Sequence, residues 1–108
     1  MTPDAQNDDL QVLSEIDRTV HEPARLMVLA CLAAVQSADF LFVATQTGLS
    51  RGNLSSHMSR LEEEGYVAVE KKFVDRIPRT LLSLTKSGRE AYRRYRRNML
   101  RVLRSLPG

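Results

Sequence analysis

Residues 40 to 66 run Phe40-Leu41-Phe42-Val43-Ala44-Thr45-Gln46-Thr47-Gly48-Leu49-Ser50-Arg51-Gly52-Asn53-Leu54-Ser55-Ser56-His57-Met58-Ser59-Arg60-Leu61-Glu62-Glu63-Glu64-Gly65-Tyr66, and their reading decides the fold. They divide into a short apolar helix, a tight turn at Gly48-Leu49-Ser50, and a second helix. Gly48 suits a chain that must turn left-handed at a helix end. Ser50 can cap the helix that follows, because its hydroxyl can accept from a free backbone N–H. Leu54, Met58 and Leu61 make that helix's inner stripe, and Gly65 its stop. An amphipathic helix usually carries long charged side chains on its wet face. Here Gly52, Asn53, Ser55, Ser56 and Ser59 keep that face low, so another molecule's surface can come close.

Working upstream, Leu10, Leu13, Ile16 and Val20 recur at three- and four-residue spacing, which predicts an amphipathic helix from Asp8 to Thr19. Glu22-Pro23 marks a second start, since proline fits the first helical position. From there to Val35 the chain is apolar nearly all round, as expected of a central, buried helix. Gln36 to Asp39 interrupts it, and Ser37 or Asp39 could cap the helix at Phe40.

Downstream, the period changes. Tyr66 to Phe73 and Thr80 to Leu84 are β-like, and Val74-Asp75-Arg76-Ile77-Pro78-Arg79 reads as a polar, proline-bearing connection between them. Thr85 can cap a final helix to Leu103, with Tyr92, Tyr95, Met99, Val102 and Leu106 at alternating three and four spacing. A helix-turn-helix followed at once by a hairpin is a winged helix-turn-helix. The expected fold is mainly α with a small β-hairpin wing and additional N- and C-terminal helices. The segments are 1–20, an N-terminal contact helix; 21–84, the winged unit; and 85–108, a C-terminal dimerisation helix.

At 108 residues and 43% apolar content, the chain is one small globular domain. No run approaches the roughly 18 apolar residues of a membrane span. Met1 to Asp9 is polar and acidic, unlike a targeting peptide, so a cytoplasmic location is expected. The lone Cys31 sits among apolar neighbours and reads as a core thiol in a reducing compartment. Net charge is +3, but residues 1–22 hold six acids against Arg18, while residues 80–108 hold eight bases against Glu90. Ends of such different sign suggest segments lying against each other, or a basic end that meets polyanion.

The run Thr47 to Val67 resembles bacterial and archaeal winged-helix transcriptional regulators, small relatives of the MarR and ArsR groups. The wing Arg76-Ile77-Pro78-Arg79-Thr80, the helix start Leu84-Thr85-Lys86-Ser87-Gly88-Arg89-Glu90-Ala91, and His21-Glu22-Pro23-Ala24-Arg25-Leu26 match the same pattern. The similarity covers about residues 20 to 104, with Gly52-Asn53-Leu54-Ser55-Ser56-His57 its most specific string. It implies a homodimer on operator DNA, with dimer contacts from the terminal helices. ArsR-type sensors usually carry metal-ligand cysteines and histidines. This chain offers only Cys31, His21 and His57, so no metal or cofactor is expected.

Affinity for DNA comes mostly from phosphate neutralisation, and specificity from side chains at base edges. With Leu54, Met58 and Leu61 inward, the recognition helix over residues 50–64 presents Ser50, Arg51, Gly52, Asn53, Ser55, Ser56 and Ser59 to the major groove. Arginine can grip guanine with two donors, and asparagine can pair with adenine. Arg60 lies further on and suits the backbone. In the wing, about residues 73–80, Arg76 is the candidate for the minor groove or its flanking phosphates. Arg79, Lys71 and Lys72 are weaker ones, and Asp75 opposes phosphate. His57 reads as a satisfied histidine beside the stripe. The consecutive Glu62-Glu63-Glu64 fan around the helix with no catalytic partner, so no enzyme is expected.

The last helix's stripe is too apolar to leave wet. It is expected to pair with a twin subunit through Leu10, Leu13, Ile16, Tyr92, Tyr95, Met99, Val102 and Leu106. A two-fold dimer implies a pseudo-palindromic duplex, and its interface could hold an apolar effector that no polar constellation advertises. The rival reading is a winged helix used as a protein-interaction module, whose exposed face would tend to be apolar or acidic.

Overall fold

A computed structural model describes residues 8–108. Met1 to Asn7, with Asp4 of the expected N-terminal contact segment, lie outside the described residues. From Asp8 the chain is helical, tightens into a 3-10 turn at Val12–Glu15, and is extended at Ile16. The expected helix to Thr19 therefore stops early. Asp17 explains why: its carboxylate accepts from the backbone of Thr19 at 3.0 Å and Val20 at 3.3 Å, a local turn that competes with helix. The turn drops Ile16 and Val20 into the core.

Helix α1, Pro23–Ala33, starts on its proline, and Glu22 caps it by accepting from Ala24 at 3.1 Å and Arg25 at 2.8 Å. Burial alone would raise the Glu22 carboxyl, but these donors, with the His57 and Arg25 charges, hold it below its ordinary value. Val28, Leu29 and Leu32 are fully buried and Cys31 packs partly against the core. The helix is not buried all round, however: Met27 and Ala30 face outward.

A two-residue strand β1, Ala38–Asp39, leads into α2, Phe40–Thr47, whose cap is Asp39 rather than Ser37. Gly48 turns left-handed at φ 73°. Ser50 then caps α3, Arg51–Glu63, by accepting from Asn53 at 3.1 Å. Strands β2, Val67–Val74, and β3, Ile77–Leu84, form the hairpin, and β1 completes an antiparallel sheet in the order β1-β3-β2. Helix α4, Lys86–Ser105, closes the chain. The core lies where Leu54, Met58 and Leu61 of α3 meet Leu29, Leu32, Val43 and the inner sheet residues Val67, Leu82 and Leu84.

Thr85 joins hairpin to α4. Its hydroxyl donates to the Gly65 carbonyl at 2.5 Å and accepts from Gly88 at 2.9 Å, while its backbone N–H bonds the Tyr66 carbonyl at 3.0 Å. Thr85→Ala is expected to cost about 1–2 kcal/mol in chemical denaturation, the range of a lost cap. Beside it, the Tyr66 hydroxyl donates to Asp17. Burial, with the bond and charge of Asp17, pushes that phenol up to about 12. This folded-state stabilisation is complete below the ordinary tyrosine range, near 10, and is lost as pH rises through about 12.

At the far end of α4, Asp9 accepts from Arg101 and from Ser105, each at 2.8 Å. Those bonds hold the Asp9 carboxyl below its ordinary value. This clasp joins the acidic and basic ends within one chain, and is complete above the ordinary aspartate range and released as pH falls below it.

Candidate nucleic-acid interface

Helix α3 presents two unlike faces. Leu54, Met58 and Leu61 are buried, whereas Ser50, Arg51, Gly52, Asn53, Ser55, Ser56, Ser59 and Arg60 are all exposed. The exposed set therefore forms one continuous low surface at the start of the helix. A Cβ placed on Gly52 would meet nothing within 4 Å. Nothing inside the chain demands glycine there, so its small size matters only to something arriving from outside. The Ser50 oxygen is engaged as the cap, and its hydroxyl proton stays available. Arg51 makes no ion pair among the described residues, and Arg60 is 3.8 Å from Glu64 one turn on. The free guanidinium lies in the first turn, where exposed backbone N–H groups already favour an anion.

The wing differs from expectation in length. The strands run on through Val74 and Ile77, and only Asp75 and Arg76 form the turn, with φ of 50° and 67°. Two left-handed residues make the turn whose twist matches a hairpin. Neither is glycine or asparagine, so the sequence carried no signal for it. Pro78 is tolerated inside β3 because β1 reaches only Leu81 and Leu82, leaving nothing beside Pro78 that needs its missing donor. Arg76 thus stands at the apex and makes no ion pair among the described residues. Arg79 is 3.6 Å from Asp39, tying the wing's root to the cap of α2, and Lys72 is 3.6 Å from Glu70.

Arg76→Gly should separate backbone from charge. It relieves a left-handed arginine, so folding stability should rise by up to about 1 kcal/mol. It also removes a cation, so any salt dependence of duplex binding should flatten by about one unit of log–log slope. Thermal melting and a binding titration on one preparation test both signs.

A cleft of about 570 Å³ separates α3 from the hairpin, lined by Ser55, Ser59 and Glu62 on one side and Val69, Lys71 and Thr80 on the other. Behind α3, the His57 Nδ1 lies 3.6 Å from Glu22 and 3.4 Å from Arg25. Arg25 also donates to the Thr19 carbonyl at 2.6 Å. This polar cluster fastens α3 to the start of α1, in keeping with a satisfied histidine. Among the described residues no group of three or more His, Cys, Asp or Glu is gathered in metal-binding fashion.

The eight residues expected at a dimer contact are divided by the structure. Ile16, Tyr95 and Val102 are buried within the chain itself, with Tyr95 bonded to His21 at 2.8 Å. Leu10, Leu13 and Leu106 are exposed, and Tyr92 and Met99 half-buried. Sequence reasoning missed Leu100 and Leu103, which are exposed and line an apolar groove of about 360 Å³ with Leu26, Ala30 and Met99. Their signal was present: the second half of α4 is apolar on two sides, and one stripe covers only one of them. It also missed the apolar wing tip, where Phe73 is 74% exposed, Ile77 51% and Val74 42%.

A helix-turn-helix with a free, basic, low-profile second helix and a basic hairpin beside it defines a winged helix-turn-helix. Residues 24–103 match the family described as winged helix DNA-binding domain, and the chain belongs to that family, one of DNA-binding regulators and not of enzymes. The solved structure of the transcriptional regulator homologue protein from Pyrococcus horikoshii OT3 is 31% identical, with a TM-score of 0.84, over 91% of this chain and 99% of that one. The uncharacterized protein MJ0432 of Methanocaldococcus jannaschii is 28% identical over 76% of this chain and 89% of its own. The transcriptional repressor CouR, solved bound to a 23-mer DNA duplex, is 26% identical with a TM-score of 0.70, over 87% of this chain and 63% of CouR. The fold is also that of a MarR-family regulator from Silicibacter pomeroyi, with a TM-score of 0.59. The described helices include none long and apolar enough to cross a membrane.

Proposed function

We propose that the protein is a sequence-specific regulator of transcription that binds double-stranded DNA as a homodimer, α3 in the major groove and the wing on the backbone or minor groove. The observation that carries this is the unpaired Arg51 beside Gly52 and Asn53, on a helix face that the chain itself leaves bare. Arg51 and Asn53 read base edges. Ser50, Ser55, Ser56, Ser59 and Arg60 bond sugar and phosphate, joined by Arg76 at the wing tip and, more weakly, Arg79. The repressor CouR, seen on its duplex, supports DNA as the partner. Work on DNA places the protein in the cytoplasm of a cell without a nucleus. Residues 21–84 are then the reading unit, and the segments before and after it supply dimer contacts.

The dimer rests on the second half of α4. The chain is 66 Å long in its greatest dimension, and its radius of gyration is 16.6 Å where about 13 Å is usual for this length. Leu100, Leu103 and Leu106, with the groove beside Met99 and Tyr92, give that projecting helix an apolar flank for a twin. Leu10 and Leu13 extend it. A two-fold pair sets its recognition helices about one duplex turn apart, or a multiple of it, so the operator is pseudo-palindromic. A small effector could enter the same interface; NadR, of related fold, has been solved with 4-hydroxyphenylacetate.

Selection of bound duplexes from a random pool, followed by titration at two salt concentrations, tests this reading. An enriched inverted repeat is expected, with binding weakened by about 0.9 log unit per log unit of salt for each phosphate neutralised. An unenriched pool and salt-independent behaviour would instead indicate a protein-interaction module. Sedimentation at micromolar concentration should find the dimer; a monomer there removes the α4 contact.

A further inference from the structure

We infer that the wing tip is an apolar wedge that opens a base step in the minor groove and bends the duplex; this rests on the DNA-binding reading above. Phe73 is the most exposed large apolar residue described, at 74%, and Ile77 and Val74 stand beside it across the turn. An aromatic ring so bare at the end of a hairpin is unfavourable in water unless something covers it. The strand register says which way it faces. Val69, Lys71 and Phe73 share one face of β2, opposite Leu82, Thr80 and Pro78 of β3. The Val69 and Leu82 end of that face lines the cleft against α3, so Phe73 continues the same side outward past Lys71. It therefore lies on the wing face shared with the proposed recognition helix.

Charge favours a nucleic acid as the occupant over an apolar protein surface. Residues 71–79 hold four bases against the single acid Asp75, and Arg76 occupies the apex without an ion pair among the described residues. Size agrees: paired strands stand about 5 Å apart, and the minor groove is about 6 Å wide. A two-residue turn is the narrowest tip a hairpin can offer. Apolar side chains inserted between base steps unstack them and kink the duplex, while flanking cations hold the phosphates. Arg76 would anchor the tip and Phe73 or Ile77 would separate the bases.

The test uses the full chain and a duplex recovered from the random pool, with 2-aminopurine placed in turn at steps flanking the core site. The wild-type protein should raise the probe's fluorescence several-fold at one flanking step, since unstacked 2-aminopurine is bright. Phe73→Ser should abolish that rise and weaken binding about tenfold, with its melting temperature unchanged. Phe73→Leu should keep both. If the wild type binds but brightens no flanking step, or if Phe73→Ser brightens it equally, the wedge is overturned while DNA binding stands. If the pool yields no duplex, the DNA reading fails and takes the wedge with it.

Discussion

Duplex binding is expected to fall at least a hundredfold when Arg51 and Arg76 are both changed to glutamate, with folding stability nearly untouched. Each arginine is exposed and makes no ion pair among the described residues, so neither holds the fold together. A base-edge contact contributes roughly 1–3 kcal/mol, and reversing a cation adds repulsion from phosphate. Two such losses on separate elements add when their sites are independent. Every tenfold corresponds to about 1.4 kcal/mol, so even the low end of both contacts exceeds a hundredfold once repulsion is included. Unchanged retention of a selected duplex by the double variant would remove α3 and the wing as the reading surface. The single variants sharpen the result: Arg51→Glu should erase sequence preference, while Arg76→Glu should weaken all duplexes alike.

Gly88→Val is expected to be the most damaging single change to the fold, costing about 3 kcal/mol or more. A Cβ at this position would sit 1.9 Å from the Tyr66 carbonyl oxygen and 2.7 Å from its carbon. That obstacle is backbone, not a flexible side-chain end, so it cannot turn aside. The carbonyl is also fixed, since it accepts from Thr85 at 3.0 Å. Relief requires moving α4 away from the root of the hairpin, which would break the Thr85 cap and open the packing of Ala91 and Tyr95. Overpacking usually costs 1–3 kcal/mol, and here a junction of three elements must shift as well. For a chain of this size each kcal/mol lowers the melting temperature by about 4–8 °C, so a drop beyond 10 °C should be seen by calorimetry. A valine variant melting like the wild type would show that α4 can ride higher than described.

Helix starts and stops were legible because they depend on residues a few positions apart. Ser50 and Thr85 cap through N–H groups three residues on, and Gly48 and Gly65 adopt the left-handed turns their type permits. The same locality explains the failures. Asp17 ends the first helix through its own neighbours' N–H groups, a competition that an apolar 3-4 pattern conceals. Asp75 and Arg76 hold a turn usually marked by asparagine and glycine, so the hairpin was read too short. Strand β1 is two residues long and exists only because Leu81 and Leu82 lie beside it.

The chain's order alone determined the fold class, the buried stripe of α3 and the bare polar face opposite it. Periodicity and capping are properties of one helix at a time, and they need no partner to be read. Which of α4's apolar residues face inward was settled only when the N-terminal turn and α1 packed against it, burying Tyr95 and Val102 and leaving Leu100 and Leu103 out. The tertiary structure likewise set the necessity of Gly88, the ionic hold on Arg79 and the nakedness of Phe73. Each depends on what stands across a gap from residues distant along the chain, and the local pattern does not encode that distance.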